Sequence, residues 1–260
     1  MVDDFYTDLA LNYHWLFPDD IVGDSPVFGA TSPGNEALLA EVVAALAPGA
    51  PVLDCSCGIG TDAIALKNQG FTVTACDASA SMIAETKSRA ARYGAGINVV
   101  QSCWEELPSK AGGPFDLVVC LGNALVHAQT KEHMVRALQA MRKVLHPGGK
   151  LVVDSRDWEA LYTSKPRLVT APAVIERNGQ RCSSLYVWSI PDTFGAPCRA
   201  EIILLFEDAE RKITHRRYVV DFQPFAHSSL LDAMELAGFT VTHDSFGSGN
   251  GFYAVTAEAV

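Results

Sequence analysis

The first lysine or arginine in the chain is Lys67, so residues 1–66 carry no fixed positive charge on a side chain. They hold ten acids: Asp3, Asp4, Asp8, Asp19, Asp20, Asp24, Glu36, Glu41, Asp54 and Asp62. The formal charge of −10 therefore sits entirely in this segment, and the rest of the chain balances. The segment is either a solvated face or a cover for a cationic ligand. A net-acidic chain without a basic stripe is a poor nucleic-acid binder, because phosphate neutralisation dominates that affinity. No run approaches 18 consecutive apolar residues, which argues against a membrane partner. The acidic start lacks the basic and apolar stretches of a secretory leader, so a cytoplasmic location is expected. There is no CxxC pair and no His/Cys cluster at zinc spacing, so no metal is expected. The seven cysteines are read as reduced thiols, mostly small apolar filling near strand ends. No internal repeat or low-complexity stretch occurs.

A chain of 260 residues, 48% hydrophobic and 19% charged, has the composition of a globular α/β protein rather than a disordered one. Short β-rich runs alternate with longer helical ones, as in a parallel sheet covered by helices. Strands are expected at Pro51–Asp54, Phe71–Cys76, Ile97–Gln101, Phe115–Leu121 and Lys150–Ser155. Helices are expected from Thr61 to about Gln69, from Ser79 to about Tyr93, and over Lys131–Leu145, where His146-Pro-Gly-Gly149 should break the chain. From about Leu168 to Phe222 hairpin punctuation replaces helices. Asn178-Gly179 is a tight-turn signal, and Ser184–Ile190, Ala200–Phe206 and Ile213–Phe222 read as antiparallel strands. A last helix (Ser228–Ala237) and a strand pair (Phe239–Phe246, Gly251–Ala257) close the chain.

The informative segment is Val52-Leu-Asp-Cys-Ser-Cys-Gly-Ile-Gly-Thr-Asp-Ala63, a strand running through a glycine turn into a helix. Gly58 and Gly60 permit positive φ and close approach of a ligand. The helix start offers unpaired N–H groups to a carboxylate or phosphate. Asp77, at the end of the second strand, can accept two hydrogen bonds from a ribose diol. Glycine spacing alone also fits a dinucleotide site, or a tight turn without a ligand. Asp54 shifts the balance: at the tip of the first strand it would repel a pyrophosphate and attract an ammonium group. S-adenosyl-L-methionine (SAM) carries a sulfonium, an ammonium and one carboxylate, and suits a site lined by Asp54 and Asp77.

With Phe115-Asp-Leu-Val-Val-Cys-Leu-Gly-Asn123 and Leu145-His-Pro-Gly-Gly-Lys-Leu151 following in order, residues 50–160 resemble the class I SAM-dependent methyltransferases. Cys120-Leu-Gly-Asn-Ala-Leu-Val-His127, Trp104 and Asp154-Ser-Arg-Asp-Trp158 make the chain most similar to the glycine and glycine/sarcosine N-methyltransferases. The resemblance implies a Rossmann-like, doubly wound seven-stranded α/β sheet with a small antiparallel β cap inserted after the fifth strand. It divides the chain into an N-terminal helical lid (1–50), a SAM-binding core (51–160), a substrate cap (161–225) and a C-terminal helix with the closing strand pair (226–260). It places Asp54 and the backbone of Ser56, Gly58 and Gly60 at the methionine end, Asp77 on the ribose, Met82, Cys103 and Trp104 around the adenine, and Leu121 in the wall. Tyr6, Tyr13 and Trp15 fall in the segment that closes over the site. Asn123, His127 and Arg156 match positions facing the amino-acid substrate or the methyl donor. Related enzymes often associate, so a homo-oligomer is consistent with the resemblance.

The chain departs from the family in two places. Cys103 stands where an Asp or Asn usually accepts from the adenine amine, and cysteine is a weaker acceptor. An N-terminal arginine that pins the SAM carboxylate in the relatives has no counterpart before Lys67. The implied reaction is methylation of a small molecule, an amine bearing a carboxylate. Alternatives are O- or C-methylation of a secondary metabolite, nicotinamide-dependent oxidoreduction, and SAM binding without turnover. Methyl transfer is an in-line displacement that needs an oriented acceptor and exclusion of water. Arg156 either grips the acceptor carboxylate or is a surface arginine paired with Asp154 or Asp157. Asn123 either orients the amine or donor or caps a loop, and His127 is either a polar wall or a satisfied buried histidine. Trp158, Tyr162, Tyr186, Trp188 and Tyr218 are sulfonium-facing aromatics or core packing, and Arg216 or Arg217 could supply a second anion contact.

Overall fold

The computed structural model describes residues 6–17, 33–171, 174–249 and 251–260; Asp3, Asp4, Asp19, Asp20 and Asp24 of the acidic segment lie outside them. A 3-10 turn (Ala10–Leu16) and α1 (Pro33–Ala44) come first. Then follow β1 (Pro51–Asp54), α2 (Thr61–Asn68), β2 (Thr72–Asp77), α3 (Ala80–Arg92) and β3 (Asn98–Gln101). A 3-10 turn (Trp104–Glu106) leads to α4 (Leu107–Lys110) and β4 (Phe115–Cys120), and another (Ala124–His127) to α5 (Lys131–Lys143), β5 (Leu145–Arg156) and α6 (Trp158–Ser164). The strands β6 (Leu168–Thr170), β7 (Ile175–Arg177), β8 (Gln180–Ser189), β9 (Cys198–Glu207) and β10 (Ile213–Phe222) form a separate antiparallel sheet. The chain ends with α7 (His227–Leu236), β11 (Phe239–Asp244) and β12 (Phe252–Ala259).

The main sheet has seven strands in the order β3-β2-β1-β4-β5-β12-β11. The first five are parallel, and β12 runs antiparallel to both its neighbours. Strand order reverses at β1, and a ligand crevice forms at the carboxyl ends on either side of such a switch point. Leu39, Val43, Ala63, Leu66 and Ile83 from α1, α2 and α3 cover one face. Leu107, Met134, Leu138, Met141, Leu230 and Met234 from α4, α5 and α7 cover the other. Each such side chain, taken fully out of water, contributes about 1.5–3 kcal/mol. Helix starts follow the sequence: Ser79 Oγ accepts from the Met82 N–H at 3.2 Å and Thr130 Oγ1 from the His133 N–H at 3.1 Å. Among the described residues no helix is long and apolar enough to cross a membrane.

The expected break at His146–Gly149 is instead an excursion within β5. Phe115 pairs with Leu145 and Leu117 with Lys150, so two steps along β4 match five along β5. Gly148 takes φ +77°, and a Cβ on Gly149 would meet the His146 carbonyl at 2.9 Å. Two glycines let the chain loop out and rejoin its partner. In the second sheet, Asn178 (φ 52°) and Gly179 (φ 76°) make the two-residue turn between β7 and β8. Along β9, Cys198, Ala200, Ile202, Leu204 and Phe206 alternate into the core.

Residues 6–17 strap this sheet to the main one. Trp15 sits edge-on to Phe206 at 5.6 Å, and Asn12 Nδ2 donates to the Tyr218 hydroxyl at 2.9 Å. Arg177 donates to the carbonyls of His14 (2.6 Å) and Phe17 (3.2 Å). On the other side Ala10 packs with Ile59 of the glycine turn and Met82 of α3.

Candidate functional site

The C-terminal tips of β1, β2, β4 and β5 meet at the switch point. Gly60 (φ +82°) approaches α3 so closely that an added Cβ would lie 2.8 Å from Thr86 Cγ2. Thr86 Oγ1 donates to the Gly58 carbonyl at 2.7 Å, anchoring the turn from below. An added Cβ on Gly58 would meet nothing within 4 Å, so the turn's upper side is open. Ser56 ties the turn to β4, with its Oγ 3.0 Å from the Leu121 N–H and 3.1 Å from the Leu121 carbonyl.

Asp77 accepts the Gly58 N–H on one oxygen and the Ser79 N–H on the other, both at 2.9 Å. The Gly58 N–H, expected to face the donor, is thus engaged by Asp77, which braces the turn; the second lone pair of each oxygen is what a diol would use. Asp54 is 1% exposed. One oxygen takes the Ser56 N–H at 3.3 Å, and Oδ2 has no partner among the described residues. Burial lifts its pKa from 3.8 to about 7; the Ser56 N–H opposes this and the Asp77 charge adds to it. A buried carboxylate lacking a partner calls for a cation. An ammonium meets that need, whereas a pyrophosphate would place like charges together. The orphan oxygen, the open face of Gly58 and the helix start at Thr61 therefore fit SAM.

At the positions expected around the adenine, Trp104 Nε1 donates to the Cys55 carbonyl at 3.1 Å, and Cys103 caps the 3-10 turn with Glu106. Met82 is buried against Ala10 and Ile59, with Tyr6 and Tyr13 beside it. Tyr13 lies within electrostatic reach of Tyr186, Asp77, Asp62 and Asp154, and desolvation holds its hydroxyl well above the ordinary value. Trp15 is not brought to the site: its indole belongs to the core of the second sheet, with Arg177 at 5.3 Å from the ring.

The positions expected to face the acceptor lie at the tips of β4 and β5. Asn123 (φ 60°) follows Gly122 (φ 73°) in a left-handed turn. Asp154 Oδ1 accepts the Asn123 N–H at 2.7 Å, and Asn123 Oδ1 accepts the Arg156 N–H at 3.0 Å, a reciprocal lock between the two strand tips. Asn123 Oδ1 therefore serves the loop. His127 Nε2 lies 2.8 Å from the Tyr6 hydroxyl, and desolvation lowers its pKa from 6.5 to about 4, leaving it neutral.

Arg156 pairs with neither Asp154 nor Asp157; the latter caps α6 through the Ala160 N–H at 2.8 Å. Its guanidinium sits 4.4 Å from the Phe252 ring, 5.3 Å from Trp188 and 5.9 Å from Trp158, and has no ion-pair partner among the described residues. Desolvation lowers its pKa, with Tyr186 opposing. Phe252 gave no local sign of this role, because β12 brings it opposite Arg156 from 96 positions away. Tyr162 donates to the Ala196 carbonyl within the cluster of Trp158 and Trp188, Arg217 pairs with Glu201 at 2.7 Å, and Arg216 is exposed.

Residues 52–149 match a family described as a methyltransferase domain. A glycine N-methyltransferase from Oryctolagus cuniculus is 33% identical over 127 residues, covering 44% of this chain and 43% of that protein, so the match spans under half of either. An S-adenosylmethionine-dependent methyltransferase from Clostridium acetobutylicum superposes with a TM-score of 0.71 at 13% identity, covering 98% of both chains. A sugar N-methyltransferase from Streptoalloteichus superposes with a TM-score of 0.65 at 23% identity, covering 92% of this chain and 98% of that one.

Proposed function

We infer, from a methyltransferase domain at residues 52–149 built on the class I SAM-dependent fold, that this chain N-methylates a small amine that carries a carboxylate. The observation that carries the reading is Arg156: a desolvated guanidinium in an aromatic box with no counterion of its own among the described residues. A half-buried guanidinium so placed is favourably completed by a bound anion. Glycine N-methyltransferases among the relatives support the same acceptor class.

SAM supplies, when bound, a methyl group on a positively charged sulfur. Asp54 would hold its ammonium group, Asp77 its ribose hydroxyls, and the start of α2 its carboxylate in place of the missing arginine. Leu121 and Met82 furnish apolar wall. Arg156 orients the acceptor through its carboxylate, beside the turn that Asn123 and Asp154 hold. The strap, through Tyr6 on His127 and Tyr13 among the acids, excludes water from the space between.

Mass detection of methylated products from SAM with glycine, sarcosine, other amino acids and amino sugars tests the reading. Amino acids should be methylated, and Arg156→Lys should raise KM for them at least tenfold while SAM affinity stays constant. Turnover confined to acceptors without a carboxylate would overturn it.

A further inference from the structure

Asp154 is a second buried acid with an unanswered atom. It is 1% exposed; Oδ1 is taken by the β4 turn, and Oδ2 has no partner among the described residues. It stands two residues before Arg156 on β5, so both side chains leave the same face of the strand. It adjoins the Asn123 turn directly and lies in electrostatic reach of the Tyr13 hydroxyl on the strap. One face of β5 thus carries an unpartnered carboxyl oxygen and, two residues on, a guanidinium without a counterion among the described residues. An amino acid in its ordinary zwitterionic form brings the complement of each.

We propose that Asp154 receives the acceptor's ammonium group and takes a proton from it, while Arg156 holds the carboxylate. The step is balanced: one N–H bond of the ammonium breaks, an O–H bond forms on Asp154 Oδ2, and the electron pair stays on nitrogen as the lone pair that methylation requires. The inference rests on the amine reading above and adds the residue that makes the amine nucleophilic.

The surroundings suit the task. Burial lifts the Asp154 carboxyl from 3.8 to about 7, opposed only by the N–H groups of Asn123 and Gly122. That value matches a proton acceptor working near neutrality. Among the described residues, Tyr13 of the strap is in electrostatic reach of Asp154, Arg156 follows it on the same face of β5, and the 3-10 turn packed on β5 carries His127. Asp54 titrates in the same range, so the measurements are made with its site saturated by the donor or its demethylated product.

Asp154→Asn keeps an oxygen for the Gly122 and Asn123 N–H groups and removes the base. With the amine that gives product in the screen, kcat/KM at pH 7.5 should fall at least 100-fold, and the acid limb of kcat/KM near pH 7 should vanish. SAM affinity should stay close to wild type, while Tm should fall by a few degrees because the new amide N–H₂ has no acceptor. An independent readout is proton release by calorimetry at pH 6, with S-adenosylhomocysteine saturating and the same amine as titrant. Wild type should release close to one proton per amine bound, and Asp154→Asn none. If the variant is poorly folded, Asp154→Glu replaces it and should restore both the acid limb and the proton release at reduced kcat. Wild-type turnover with an unchanged profile and unchanged proton release in Asp154→Asn overturns this inference alone. Absence of turnover from every amine, with SAM binding intact, overturns the amine reading and this inference with it.

Discussion

Replacing Asp54 by asparagine should change the sign of its own effect with pH. In wild type the carboxyl rises from 3.8 in the unfolded chain to about 7 in the native state. The native protein therefore holds a proton that the unfolded chain has already lost. Its contribution to stability is complete below pH 3.8 and is lost as pH climbs through 7. At about 1.4 kcal/mol per pH unit, the loss between pH 5 and pH 9 is about 3 kcal/mol. The substituted amide does not titrate, and Asp154, present in both proteins, cancels in the difference. The new amide N–H₂ inherits a site without an acceptor, which costs about 1–3 kcal/mol at every pH. Asp54→Asn should thus be the less stable protein at pH 5 and equal or superior to wild type at pH 9. Urea unfolding of both proteins at these two pH values measures it. With SAM present the wild-type dependence should flatten, since the bound ammonium partners the ionised carboxyl. Parallel stability curves for the two proteins across this range would refute the reasoning.

Gly60→Ala should destabilise by about 2–4 kcal/mol, combining a disfavoured φ with overpacking against the Thr86 methyl, and Thr86→Ser in the same chain should recover part of it in thermal unfolding. His127 is held near 4 against 6.5 when unfolded, so it withdraws stability as pH falls from 6.5 to 4. His127→Gln should escape about 2–3 kcal/mol of that acid-side loss, read by denaturation at pH 7 and 4.5. Arg177→Gln removes charge-assisted bonds to two strap carbonyls, worth about 1.5–3 kcal/mol each. Amide exchange over residues 10–17 should accelerate without change in the core strands.

What the sequence disclosed was governed by short-range physics. The glycine turn, the cap at Ser79 and the Asn178-Gly179 hairpin are local, and the structure contains all of them. The excursion in β5 was hidden because His146-Pro-Gly-Gly149 looks like an ending unless β4 is there to pair with the returning chain. Trp15 gave no sign that its partner would be Phe206, almost two hundred residues away. The engagement of the Gly58 N–H by Asp77, and the lack of a partner for the second oxygen of Asp54 and Asp154, depend on three-dimensional enclosure that no spacing encodes.

The placement of β12 has a consequence for synthesis. It follows β5 by almost a hundred residues, yet it inserts between β5 and β11 and pairs with β5 along seven residues. On the ribosome, β5 emerges with one ladder exposed and keeps it so while the second sheet and α7 are translated. The nascent chain thus carries an open, apolar rim for about a hundred residues of elongation. Chaperone dependence and nonsense truncations near the carboxyl end should converge on that one unsealed seam.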